Sequence, residues 1–184
     1  MLDVLFSVLG ILTLSPLFLI ILVLGWFDTG APVFSQARVG RNRRIFKLYK
    51  FRTMKQSAVN LPTHMVDPSL VTTLGAFLRK TKVDELPQLW NVLIGQMSLV
   101  GPRPCLPTQQ ELIEERERRG VFTLRPGITG ISQIRGLDMS DPIALAESDS
   151  EMLHKSGLLL YLRCILLTLV GFGAGDNLRS SKKR

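Results

Sequence analysis

The sequence predicts a small α+β domain fastened to a membrane by an apolar segment near its N-terminus. Three observations predict it. Residues 4–27 are 24 consecutive positions without a charge, rich in Leu, Ile, Val and Phe. Residues 45–52, Ile-Phe-Lys-Leu-Tyr-Lys-Phe-Arg, alternate apolar and polar with the period of a strand, and helical segments follow. Residues 38–55 hold eight Lys or Arg and no acid, which calls for an anionic partner. A length of 184 residues fits one domain with its own core rather than two.

The apolar segment comes first. As a straight helix of 24 residues it would measure about 36 Å, against about 30 Å of hydrocarbon. A signal peptide fits poorly, because Asp3 stands where a basic flank belongs and no small-residue cleavage site follows. Ser15-Pro16 interrupts the segment near its middle. Pro16 has no N–H, so the Leu12 carbonyl loses its helical donor, and the Ser15 hydroxyl can bond back one turn. Two readings stay open: a kinked spanning helix, which the spacing favours, and a re-entrant hairpin of two half-helices. In either, the basic flank beginning at Arg38 belongs on the cytoplasmic side.

The remaining elements follow in order. Pro32-Val33-Phe34 reads as extended, Gly40-Arg41-Asn42 as a turn, and residues 45–52 as a strand. Residues 56–72 look like a loop. A helix is expected over residues 74–80. A second is expected from Glu85 to Ile94, closed by Gly95. Residues 100–104, Val-Gly-Pro-Arg-Pro, read as irregular, and residues 125–130, Arg-Pro-Gly-Ile-Thr-Gly, as a rigid loop. Residues 108–119 read as a charged, exposed helix. Residues 157–172 read as an apolar helix carrying Arg163, too short to span comfortably and suited to lie on the membrane surface or to pack on the domain. Cys105 and Cys164 lie far apart and form no disulfide or zinc pattern, so a reducing compartment is expected.

The chemistry centres on Lys82-Val83-Asp84-Glu85-Leu86-Pro87. Asp84 can cap the following helix, Glu85 favours its dipole, and Pro87 suits its first turn. A carboxylate at a helix N-terminus also stays ionised, as a carboxylate nucleophile must. Two adjacent acids can divide the work, one attacking phosphorus and one holding a divalent cation. Arg79 lies five residues before Asp84. Lys50 and Arg52 end the strand. Arg103 and Arg125 sit beside prolines that restrict their backbones. Arg suits bidentate phosphate binding. His64 and His154 are isolated and read as solvated or structural, and Cys105 as non-catalytic.

Three stretches carry a resemblance: GAPVFSQARVGRNRRIFKLYKFRTM, LRKTKVDELPQLWNVLIGQMSLVGPRP and RPGITGISQ. With LDVLFSVLGILTLSP they cover most of residues 2–133. The chain resembles the monotopic bacterial phosphoglycosyl transferases, also called bacterial sugar transferases or undecaprenyl-phosphate sugar phosphotransferases. The resemblance implies a mainly α, α+β fold with a short β-hairpin. It also implies a re-entrant membrane helix bent at Ser15-Pro16 over residues 1–28. A catalytic domain with interfacial amphipathic helices would then occupy residues 29–184, on the cytoplasmic face of a bacterial inner membrane.

The implied reaction moves a sugar phosphate from a UDP-sugar to polyprenyl phosphate with Mg²⁺, through an aspartyl-phosphosugar, releasing UMP. The implied roles are Asp84 as nucleophile and Glu85 as Mg²⁺ ligand. Arg79, Arg103, Lys50, Arg52, Arg125 and Thr129 would surround the phosphates and nucleotide, with Asp149 and Arg135 as further candidates. The implied partners are the two substrates and membrane phospholipid, with a homodimer allowed and no nucleic acid.

The sequence also departs from the family. Leu70-Val71-Thr72-Thr73 stands where members often read Arg-Ile-Thr-Arg, so Leu70 and Thr73 replace arginines. Ile134-Arg135-Gly136-Leu137 stands where many read Val-Asn-Gly-Arg. These changes bear on sugar specificity and on part of the phosphate site. A non-catalytic membrane scaffold of the same fold would tolerate them. A phosphohydrolase would use water in place of the lipid. A membrane-tethered nucleic-acid binder would use the basic run but leave Asp84-Glu85 idle, and no aromatic stacking platform accompanies it.

Overall fold

The computed structural model describes residues 2–57, 68–155 and 157–170. His64, Asp67 and the basic residues Arg179, Lys182, Lys183 and Arg184 lie outside them.

Helix α1, Leu2–Thr29, runs unbroken through Pro16. The Ser15 Oγ donates to the Leu12 carbonyl at 2.8 Å, replacing the amide that proline lacks. At 28 residues the helix is about 42 Å long. It is held along its length by the rest of the protein. The Asp3 carboxylate accepts from the Ser98 hydroxyl, the Leu99 amide and the Tyr161 hydroxyl, at 3.0, 3.0 and 2.8 Å. Ser7 and Ile21 are buried, and Phe18 meets Phe51 edge-on. At the other end Thr72 donates to Asp28, and Gln56 to the Thr29 carbonyl. The outward side of α1 stays bare: Leu5, Leu9, Leu12, Leu19, Ile20, Val23, Trp26 and Phe27 are exposed.

Strands β1, Val33–Val39, and β2, Ile45–Phe51, form an antiparallel hairpin in the register Val33↔Phe51 to Val39↔Ile45. The first is longer than the sequence suggested, because each of its residues finds a partner on β2. The buried face of β2 carries Phe46 and Leu48 onto Val92 and Met97. The turn holds Asn42 and Arg43 at positive φ, a conformation Asn tolerates better than Arg.

Helix α2, Thr73–Thr81, begins on a Thr72 cap whose hydroxyl accepts from the Gly75 amide. It ends where Lys82 turns left-handed, φ 57°. That turn corrects the expected helix from Glu85 to Ile94. Val83–Glu85 forms a single 3-10 turn instead, and α3 covers only Gln88–Leu93, with Pro87 at its N-cap position. Asp84 therefore does not cap α3.

The two loops read as irregular also differ. Ser98–Val100 (β3) and Gly127–Thr129 (β4) pair in parallel, Ser98↔Gly127 and Val100↔Thr129. Glycine permits it: a Cβ on Gly127 would lie 2.0 Å from the Gly101 nitrogen, and one on Gly101 2.3 Å from the Arg125 carbonyl. Both loops are thereby locked backbone to backbone.

Helix α4, Gln110–Arg118, was expected to be charged and exposed; its inner face is buried with Leu112, Ile113 and Arg116. Short α5, Ile131–Ile134, leads to α6, Pro142–His154, capped by Asp141 and not anticipated from the sequence. These pack into a core of Val39, Cys105, Leu112, Ile113, Phe122, Leu145 and Ala146, against which Leu137 lies. Helix α7, Leu158–Leu169, exposes Leu158, Leu159, Leu162 and Leu166. The protein is mainly helical with a short antiparallel hairpin and one helix, among the described residues, long and apolar enough to cross a membrane.

Candidate active site

The Asp84-Glu85 turn is bracketed by Val83 and Leu86. Both pack against Ile21, Phe51 and Leu78, in a cluster that Leu17, Phe18 and Leu22 of α1 complete. The apolar bookends sink the turn onto the membrane helix. The acids are left between α2 and β2, and Asp84 is only 8% exposed.

Two cations from different elements meet Glu85. Lys50, from the end of β2, donates to Glu85 Oε1 at 2.7 Å. Arg103 Nη2, from the loop after β3, lies 3.5 Å from the same oxygen. Arg79, in the last turn of α2, donates through Nε to the Thr53 hydroxyl at 2.8 Å, while its Nη1 is buried without a hydrogen-bond partner. A buried guanidinium donor left unpaired is costly, and a bound anion would satisfy it.

Arg103 owes its place to a buried network. Arg116 Nη1 donates to the Arg103 carbonyl at 2.9 Å. Its Nε and Nη2 both donate to Asp149 Oδ2, at 2.9 and 2.6 Å, and the Ser132 hydroxyl donates to Asp149 Oδ1 at 2.6 Å. Arg116 is 2% exposed and Asp149 0%. Asp149 is thus a structural anchor two steps behind Arg103 rather than a group facing a substrate. Cys105 lies close to Arg116, yet burial dominates and holds its thiol above the ordinary range.

Other candidates fall elsewhere. The Arg52 Nε donates to the Ala31 carbonyl, and its guanidinium covers the Phe34 ring, so it braces the hairpin base. Thr129 is buried, its hydroxyl 2.5 Å from that of Thr168 on α7. Arg135 pairs with Glu151 and reaches Ser148, on α6. Arg125 is exposed beside its locked backbone. His154 is exposed, as expected.

Arg116, Ser132 and Thr53 escaped the sequence reading. Arg116 left a signal: it follows Leu112 by four residues and Ile113 by three, on the apolar stripe of its helix. A charge there needs a buried partner.

A family model described as bacterial sugar transferase matches residues 1–174. The galactosyl transferase CpsE of Streptococcus agalactiae serotype III (strain NEM316) is 38% identical over 156 residues, covering 77% of this chain and 34% of its own length. The exopolysaccharide production protein PSS of Rhizobium leguminosarum bv. phaseoli is 41% identical over 148 residues, 73% of this chain and 72% of its own. The UDP-N-acetylgalactosamine-undecaprenyl-phosphate N-acetylgalactosaminephosphotransferase of Aeromonas hydrophila is 36% identical over 187 residues, 94% of this chain and 44% of its own. The chain therefore spans about a third of the first of these, less than half of the third and most of the second.

Proposed function

The chain belongs to the bacterial sugar transferase family, and on that premise we propose that it transfers a sugar phosphate from a UDP-sugar to polyprenyl phosphate, releasing UMP. The observation that carries the reading is the sunken Asp84-Glu85 turn with Lys50 and Arg103 against Glu85, following a helix whose Arg79 keeps a buried, unpaired Nη1. A relative whose name joins a UDP-sugar to undecaprenyl phosphate supports the choice of substrates.

Chemistry follows from the residues. A carboxylate oxygen of Asp84 attacks the β-phosphorus of the donor. The bond from that phosphorus to the bridging oxygen breaks, and UMP leaves with the electron pair. The sugar phosphate stays on Asp84 as an acyl phosphate. A phosphate oxygen of polyprenyl phosphate then attacks the same phosphorus, the bond to Asp84 breaks, and the free carboxylate returns with polyprenyl-diphospho-sugar as product. Before the donor arrives, Lys50 and Arg103 neutralise Glu85; with it bound, they and Arg79 hold charge developing on the phosphoryl oxygens.

Two adjacent carboxylates, with no cluster of three or more metal-ligating side chains among the described residues, suit a magnesium ion bound partly through substrate phosphates. Glu85 would hold it, and the ion, when bound, would neutralise charge on the donor diphosphate.

The seat of the site on α1 solves an access problem, since one substrate is aqueous and the other lies in a lipid leaflet. Both ends of α1 are tied to the same domain, at Asp3 and at Asp28. A helix crossing the bilayer would carry one end away from that domain. The arrangement supports a helix kept on the side of the membrane where the domain lies, the cytoplasmic face of the inner membrane by the basic residues around the hairpin; a re-entrant course would need a bend at Ser15-Pro16, where the helix is continuous.

The test is UMP release by membrane fractions supplied with UDP-sugars. Release should require Mg²⁺, and Asp84→Asn should abolish it. Mass spectrometry of protein trapped without lipid should find a phosphosugar at position 84. Release by Asp84→Asn at the parent rate would remove Asp84 from the nucleophile role.

A further inference from the structure

The loop after β3, residues 101–105, reads Gly-Pro-Arg-Pro-Cys. Its two prolines bring no N–H, so the segment has few donors with which to fix itself. It is held through its carbonyls instead. Gly101 accepts from Gln133 Nε2 of α5 at 3.3 Å, Pro102 from the Gly127 amide of β4 at 2.9 Å, and Arg103 from Arg116 Nη1 of α4 at 2.9 Å. Pro104 accepts from Arg38 Nη1 of β1 at 3.0 Å, and Cys105 from the Val39 amide at 2.9 Å. Every carbonyl of the loop is thus tied to another segment.

The last two ties come from the hairpin. The same hairpin carries Lys50, whose Nζ meets Glu85 Oε1, the oxygen that Arg103 Nη2 also faces. Arg38 lies opposite Phe46, and Lys50 opposite Phe34, so the two positions are about 13 Å apart along one two-stranded ribbon. Arg38 is itself steadied. Its Nη2 donates to Gln36 Oε1 at 2.7 Å, from the same face of β1. A planar, forked guanidinium can hold that amide and the Pro104 carbonyl together in fixed directions.

We propose that Arg38 is a positioning residue: by holding the Pro104 carbonyl it makes the hairpin a common frame for Lys50 and Arg103, and so sets the gap between the two cations that receive the donor phosphates. This role rests on the donor proposed above and adds what spaces its phosphate contacts. A diphosphate gripped from two sides needs that spacing kept to about 0.5 Å. A tie between strand and loop supplies it before the substrate arrives.

Two experiments test it. Arg38→Met removes both guanidinium bonds and keeps an apolar stem. In membrane fractions it should lower kcat/KM for UMP release at least tenfold. In an Arg103→Met background the same change should cost less than twofold, because the contact it positions is already gone. A residue that only stabilises the fold would cost the same factor in both backgrounds, and that result overturns the proposal. Gln36→Leu leaves Arg38 in place without its second partner. It should give a smaller loss with the same dependence on Arg103, and it carries the test if Arg38→Met fails to fold. Separately, hydrogen exchange of the purified full chain, read by mass spectrometry, should quicken over residues 101–106 in either variant while α2 stays unchanged. Unchanged exchange in that segment, or equal quickening in α2, overturns the proposal. Should the parent protein release no UMP from any donor, the proposed function fails alone, and hydrogen exchange still decides whether Arg38 holds the loop.

Discussion

Removing the charge behind Arg103 should separate stability from activity. In Asp149→Ala, the Arg116 guanidinium loses both hydrogen bonds to Asp149, at 2.9 and 2.6 Å, inside a site from which solvent is excluded. Breaking one side of a buried pair costs about 3–5 kcal/mol. Total stability is on the order of 5–15 kcal/mol, so the variant should unfold at clearly lower temperature or denaturant concentration. In the double variant Arg116→Met, Asp149→Leu the pair becomes apolar, which is about neutral or stabilising by up to ~4 kcal/mol. Fold stability should return. Catalysis should not, because the 2.9 Å donor to the Arg103 carbonyl is gone. A hydrogen bond from a charged group is worth about 1.5–3 kcal/mol, hence a loss of roughly ten- to a hundredfold in kcat/KM. Unfolding followed by tryptophan fluorescence, beside UMP release, reads both quantities. If the double variant recovers full activity, Arg116 does not position Arg103. If Asp149→Ala costs under about 1 kcal/mol, the pair is not the buried anchor described.

Three further outcomes follow from particular contacts. Gly75→Ala would put a Cβ 2.0 Å from the Thr53 carbonyl oxygen. It should destabilise by about 1–3 kcal/mol or more, and weaken donor binding by shifting α2 and Arg79 away from Thr53. The Arg135 hydrogen bond, then that of Lys155, holds the Glu151 carboxyl down to about 2. Its contribution to stability is present above the ordinary value of about 4.3 and vanishes as pH falls toward 2, so Arg135→Gln should flatten acid unfolding in that window. For topology, cysteines placed at positions 2 and 30 should label from the same side of sealed vesicles. The background is low because Cys105 and Cys164 are buried. Labelling from opposite sides would establish a spanning helix instead.

Much of this protein was legible in the chain because its signals are local. An uncharged run of 24 residues, a period-two alternation and an acid pair two residues before a proline are written in neighbouring positions. They suffice for a membrane helix, a hairpin and a candidate nucleophile. The same locality misled where a local rule met a tertiary constraint. Asp84 looked like a helix cap, but the left-handed Lys82 makes a separate 3-10 turn there. Two loops looked irregular, but paired glycines bring their backbones close enough to pair as strands.

The sequence by itself determined a helix long and apolar enough to cross a membrane and a carboxylate pair in a basic setting. Composition and spacing set hydrophobicity and charge, and both are properties of a single segment. Only the tertiary structure decided which cations serve that pair. Lys50 reaches Glu85 across 35 residues and Arg103 from the far side, while Arg52 and Arg135 turn away. Such choices depend on where buried partners such as Arg116 and Asp149 draw distant segments together. A buried charge must find its counter-charge in space, whatever the distance along the chain.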